Sequence, residues 1–201
     1  MRLLPCGDRA VLLDCGSLEE ATGWFAALAD LDPVLGAQTV LLRGNPVELR
    51  ATLAAREPKS AAAATGADEV VITVAYDGPD LAEVAALTGL SEAEVVTAHT
   101  GTTWTVGFCG FAPGFAYLTG GDPPPQAGGA PRLHVPRRPT PRTHVPAGSV
   151  GLAGDFSGIY PRSSPGGWQL IGHTDADLFD VDRDPPALLQ PGMRVRFEAR
   201  L

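Results

Sequence analysis

Lysine is nearly missing from this chain: of fifteen basic residues only Lys59 is lysine, and it follows Glu57 and Pro58 at the edge of a stretch that reads as a linker. Schiff-base chemistry and P-loop phosphate binding both depend on a lysine, and no GxxxxGK[ST] pattern occurs. Cysteine is equally scarce. Cys6, Cys15 and Cys109 are odd in number and form neither a CxxC pair nor a Cys/His cluster of metal spacing, so reduced thiols and no metal ligands are expected. No apolar run approaches the roughly 18 residues of a membrane span. The opening MRLLPCGDRAVLLDCG lacks the character of a signal peptide, because Pro5, Asp8 and Arg9 interrupt it, and a cytoplasmic location is expected. Positive charge is also short. At net −8 the chain lacks the broad basic surface that nucleic-acid binding needs.

Enough apolar residue is present, 44%, to exclude wholesale disorder in a chain of 201 residues, which is long enough for one large domain or two small ones. The first third reads as a small α/β sandwich. Ala10 to Asp14 is a short apolar strand, Ser17 with Glu20 has the capping-box pattern of a helix running to about Leu31, Val40 to Leu42 is a second strand, and Val47 to Arg56 a second helix. Residues 60–67, SAAAATGA, lack large periodic side chains and read as a linker, so two domains are expected, 1–66 and 67–201. Beyond it, Glu69 to Tyr76 alternates as a strand, and Asp80 to Thr88 carries apolar residues at helical spacing up to Gly89. Ser91 with Glu94 opens another helix that ends near His99. From there short β-rich pieces, TWTVGF, SVGLAG, GWQLIG, DLFDV and RVRFEA, are separated by Pro and Gly, which fits a closed barrel better than an open sheet.

Glycine and proline concentrate where the chemistry is expected. GFAPGFAYLTG at 110–120 and the run from Val145 to Thr174 are too broken for long helices, and between them PRLHVPRRPTPRTH holds Arg132, Arg137, Arg138 and Arg142 on a proline-stiffened track. From Pro131 to His173 five Arg face one Asp, a cationic island in an acidic chain. Arginine forks suit bidentate capture of carboxylate or phosphate, although a row of them also suits an acidic partner protein. The turn Ser163-Ser164-Pro165-Gly166-Gly167-Trp168 offers backbone amides to an anion, or simply supplies a barrel turn. Tyr160 and Trp168, which bracket it, either stack on a flat ligand or fill the barrel. His99 is the best general-base candidate, a helix-terminal histidine satisfying the dipole being the plainer alternative. His134 and His144 have no acidic neighbour in sequence and read as surface, whereas His173 is placed to line the same cleft. Cys109 reads as a small packing residue. Ser149 lacks the first glycine of a GxSxG elbow, which argues against a serine hydrolase.

GDRAVLL near the start, HT at 99–100, GFAPGFAYL at 110–118, PRLHVPRRPTPRTHVPAGSVGLAG at 131–154, SGIYPRSSPGGWQLIGHT, LFD and PPALLQPG together resemble one family, the B-type subunit of 5-oxoprolinase, also called allophanate hydrolase subunit 1 or the kinase-inhibitor KipI family. The resemblance covers nearly the whole chain. It implies an α+β architecture, a small ferredoxin-like N-terminal domain followed by a cyclophilin-like β-barrel. It implies two partners, a larger C-type subunit (allophanate hydrolase subunit 2, or KipA type) and an A-type subunit. Together they open 5-oxo-L-proline to L-glutamate with ATP as co-substrate and Mg²⁺ on its phosphates, with no tightly bound cofactor and no metal ligand in this chain. Carried over by position, the cleft residues are His99, Arg137 and Arg142 as catalytic candidates. Pro113, Gly114, Phe115, Arg132, Gly148, Ser149, Tyr160, Pro165, Gly166, Gly167 and Trp168 are the binding candidates. Arg137 or Arg142 would hold a carboxylate or phosphate, and His99 would move a proton.

This chain departs from the family in two places. The family usually has arginine where His173 stands, and GGDPPPQAGGA at 120–130 is extra. Both bear on ligand specificity. The alternatives are a component that works on urea-derived amides, in the manner of the fused carboxyltransferases, and an inhibitor of a sensor histidine kinase of the KipI type.

Overall fold

The computed structural model describes residues 1–60, 69–120 and 133–200. They pack as two compact units, one of residues 1–60 with Gly107–Cys109 and one of the rest. The expected linker, apart from Ser60, the extra segment after Gly120 and Arg132 all lie outside the described residues.

In the first unit, alternation sets the face. Val11 and Leu13 of β2 (Ala10–Asp14) and Val40 and Leu42 of β4 (Thr39–Arg43) are fully buried, and the antiparallel register opposes Val11 to Leu42 and Leu13 to Val40. β1 (Arg2–Pro5) and β3 (Val34–Leu35) complete the order β1-β2-β4-β3. Helix α1 (Leu18–Ala27) covers β4 with Ala21 and Trp24, and α2 (Pro46–Ala54) covers β2 with Leu49 and Leu53. Ser17 caps α1 as expected, its Oγ accepting the Glu20 N–H at 3.1 Å, while the Glu20 carboxylate accepts from Gly16 instead of from Ser17. One feature differs from a ferredoxin-like arrangement. The outer strand beside β2 is β1, which precedes the series, where that arrangement places a strand following the second helix.

The second unit is a mixed α/β body around a seven-stranded, nearly closed, barrel-like sheet of order β12-β9-β10-β7-β6-β13-β5. Its strands are β5 (Glu69–Val74), β6 (Trp104–Cys109), β7 (Ala116–Gly120), β9 (Ser149–Ala153), β10 (Phe156–Ile159), β12 (Gln169–His173) and β13 (Arg194–Ala199). The two outer strands meet just past β5, where Ala75 and His173 exchange backbone hydrogen bonds of 2.8 and 2.9 Å. β9 is buried along its whole length, which explains why SVGLA reads as a continuous apolar run without alternation. Two helices, α3 (Leu81–Thr88) and α4 (Glu92–Gly101), pack against β12 and β13 respectively. A separate two-stranded ribbon pairs β8 (Arg142–Val145) with β11 (Ser164–Gly166), joining the arginine track to the glycine turn. Among the described residues no helix is long and apolar enough to cross a membrane.

Candidate functional site: an arginine over an aromatic concavity

Glycine decides the shape of this site. At Gly158 of β10 a Cβ would lie 3.0 Å from the Trp168 ring and 3.1 Å from that of Phe115, so its absence lets both rings settle onto the strand. At Gly166 a Cβ would lie 2.4 Å from the Tyr160 hydroxyl oxygen, so only glycine lets that phenol reach the turn. Phe115, Tyr117, Tyr160 and Trp168 then meet edge to face, with Trp168 centroids 5.5 Å from Phe115 and 5.6 Å from Tyr117. Phe111 closes the set, 5.3 Å from Phe115 and 6.2 Å from Tyr160.

Together with Arg137, Pro165, Gly166 and Gly167, these rings line a concavity of about 70 Å³. Pockets for drug-sized ligands run to several hundred Å³. The space therefore takes one small group, not a nucleotide. Arg137 is exposed at its rim and has no ion-pair or hydrogen-bond partner among the described residues. Burial raises the Tyr160 pKa, against the opposing pull of the Trp168 backbone N–H and of Arg137, and burial likewise raises that of Tyr117 against Arg137. Both phenols stay protonated at neutral pH. A guanidinium over protonated phenols and ring edges is suited to a small anion.

Of the residues singled out in the sequence, Phe115, Arg137, Tyr160, Pro165, Gly166, Gly167 and Trp168 are brought together here. The others are not. Gly114 and Gly148 adopt φ values of 82° and 78° and serve packing: a Cβ would meet Phe179 Cβ at 2.7 Å from the first and the Thr174 carbonyl at 2.2 Å from the second. Pro113 is exposed on the same turn as Gly114. Ser149 is buried and donates to the Pro146 carbonyl at 2.8 Å. Arg132 lies outside the described residues.

Two expectations about catalytic groups are corrected. His99, expected to move a proton, is completely buried inside the second unit. Its Nδ1 meets the Tyr76 hydroxyl at 2.7 Å, its Nε2 meets Ser157 Oγ at 2.8 Å, and its ring stacks on Phe197 at 4.3 Å. Burial pushes its pKa down to about 3, so it is a neutral core residue with both nitrogens engaged. Arg142, expected to hold an anionic ligand, instead donates from Nη2 to Asp80 Oδ1 at 2.6 Å, and its Nη1 is buried. His173 pairs with Asp77 at 2.8 Å and does not line the concavity. His134 is at the surface as read, although it does have an acidic neighbour, Asp155 at 2.9 Å. Burial raises the Cys109 pKa to about 11, which suits a packing residue better than a nucleophile.

The sequence reading missed Phe111 and Tyr117 as lining residues, although both lie within the GFAPGFAYL run. It also missed Asp80, whose place just before a helix reads as an ordinary cap. In the structure its carboxylate makes no capping bond to α3.

Comparison with known proteins settles the family. Residues 1–189 match the model of the carboxyltransferase domain, subdomain C and D. The chain belongs to this family. Among curated carboxyltransferase-type relatives, the B-type subunit of 5-oxoprolinase from Escherichia coli O157:H7 is 54% identical over 131 residues, which are 64% of this chain and 56% of that protein. The resemblance to this B-type subunit read from the motifs is thus borne out, and the chain spans about half the length of the curated relatives it matches. Of solved structures, TTHA0988 is 36% identical with a TM-score of 0.77, covering 96% of this chain and 40% of that one. The Kluyveromyces lactis urea amidolyase shares the fold at a TM-score of 0.72 and 18% identity, over 98% of this chain and 15% of that one.

Proposed function

We propose that the chain is one component, catalytically incomplete alone, of an ATP-dependent 5-oxoprolinase that converts 5-oxo-L-proline, ATP and water to L-glutamate, ADP and phosphate together with its C-type and A-type partners. The observation that carries this proposal is the 54% identity with the B-type subunit of a 5-oxoprolinase. The concavity supplies the chemical fit. 5-Oxoproline has one carboxylate on a flat, compact ring, and Arg137 above a ring-lined hollow offers a bidentate partner for the first and apolar edges for the second. Binding and orientation are therefore this chain's share of the work.

The proton transfers fall to other groups, because His99 is sealed in the core. ATP is too large for the concavity and is taken up elsewhere in the assembly. Among the described residues no three His, Cys, Asp or Glu are grouped to hold a metal, so Mg²⁺ would sit on the phosphates and on a partner. We extend the proposal to the finer fold names, a ferredoxin-like unit and a cyclophilin-like barrel divided near residue 66, and to a cytoplasmic location.

Reconstitution tests it. The purified chain mixed with the A-type and C-type partners, ATP and 5-oxoproline is expected to give glutamate and ADP, with Arg137→Ala lowering kcat/KM roughly 10- to 100-fold, the loss of a charge-assisted contact. A well-assembled complex that makes neither product removes the proposal. Inhibition of a histidine kinase that survives Arg137→Ala, in a complex that never turns over, would put the regulator in its place.

A further inference from the structure

Asp80 is buried to 2% exposure, and its two carboxylate oxygens take up three donors from two distant segments. Oδ1 accepts from Arg138 Nη1 at 2.7 Å and from Arg142 Nη2 at 2.6 Å, and Oδ2 accepts the Leu170 backbone N–H at 2.7 Å. The Asp80 backbone N–H bonds back to the Leu170 carbonyl at 2.9 Å. One residue of α3's entry thus grips both the proline track and the start of β12. Those same segments build the concavity: Arg137 precedes Arg138 on the track, and Pro165 to Trp168 lead directly into β12. The Arg138 N–H also donates to the Gly167 carbonyl at 2.8 Å, tying track to turn. Glu83, one helical turn on, reaches Arg138 at 3.3 Å and Gln169 at 3.4 Å and reinforces the grip.

We infer that Asp80 is a positioning residue for the anion site: by holding Arg138, Arg142 and β12 at one buried carboxylate, it fixes the rim from which Arg137 meets the ligand. A lone structural role would require only that the carboxylate be paired. Here the pairing joins the two strips of chain that supply five of the nine lining residues, and the guanidinium next in sequence is the one left free for ligand. Arg138 and Arg142 are accordingly scaffold and Arg137 is the contact. The inference rests on the proposal that Arg137 meets the substrate.

A double-mutant cycle on the reconstituted complex separates the two ideas, with 5-oxoproline as the probe, its affinity read by calorimetry and its KM and kcat by turnover. Asp80→Asn is expected to weaken binding and raise KM about tenfold with little change in kcat, whereas in an Arg137→Ala background the same change adds almost nothing. Glutamate, which moves the carboxylate but keeps it, should recover part of the affinity. If Arg137→Ala weakens binding and Asp80→Asn adds its full effect on top, Asp80 is structural only and the inference falls. If Arg137→Ala leaves binding unchanged, the proposed site itself falls. Should Asp80→Asn fail to fold, Arg138→Gln enters the same cycle with the same two outcomes.

Discussion

Phe111 is held at φ 71°, in the left-handed region where a residue with a Cβ carries strain, and its ring is 59% exposed. Strain of this kind costs on the order of 1–3 kcal/mol and tends to persist at sites that use it. Little burial compensates, so the ring's position over Phe115 and Tyr160 is what the strain maintains. Asparagine tolerates the same backbone at lower cost. Phe111→Asn should therefore leave urea stability unchanged or raise it by about 1 kcal/mol, while 5-oxoproline affinity of the assembled complex falls several-fold. A drop in stability of more than about 1 kcal/mol would show that ring packing outweighs strain. Residue type in the sequence pointed to Trp168, Tyr160 and Arg137, since aromatic and arginine side chains announce themselves. It gave no sign that Phe111 turns outward, because φ at a non-glycine position is imposed by the fold.

Among the elements, α4 was the most legible. Ser91 and Glu94 form a full capping box, the Ser91 N–H donating to Glu94 Oε2 at 2.8 Å and the Glu94 N–H to Ser91 Oγ at 3.3 Å. Both signals lie within four residues, so no distant part of the chain is needed to read them. Ser91→Ala should cost about 1 kcal/mol in equilibrium unfolding and speed amide exchange in the first turn of α4. No change in either would mean that packing of Val95 and Ala98 alone sets the helix start. β1 and β3 went unread, the first because Pro5 interrupts it and the second because two residues carry no periodicity. The arginine track shows the limit most clearly. Four guanidiniums in a dozen residues look equivalent as text, and only the partner Asp80, about sixty positions away, sorts ligand contact from scaffold.

At the scale of the molecule, His99 makes the second unit acid-sensitive. Its native pKa is depressed to about 3 from the ordinary 6.5, so the unfolded chain binds a proton that the native state refuses. The stability contributed by the neutral imidazole is complete above pH 6.5 and is lost as pH falls from there toward 3. Within that window the loss approaches about 1.4 kcal/mol per pH unit. Denaturant unfolding at pH 7, 6 and 5 should show this slope, and His99→Gln, less stable at pH 7, should show a flatter one. Equal slopes in the two proteins would assign the acid loss to other groups.

The ladder between β5 and β13 runs parallel, with Glu69 opposite Arg194 and Val74 opposite Ala199. Everything that forms the anion site is encoded between those two segments. During synthesis the hollow must therefore wait, half-walled, until a strand made more than a hundred residues later slots in between β6 and β5. Until that moment Ile72 and Val74 have no neighbour to shield them, which makes this late docking the step most exposed to mispairing with another nascent chain.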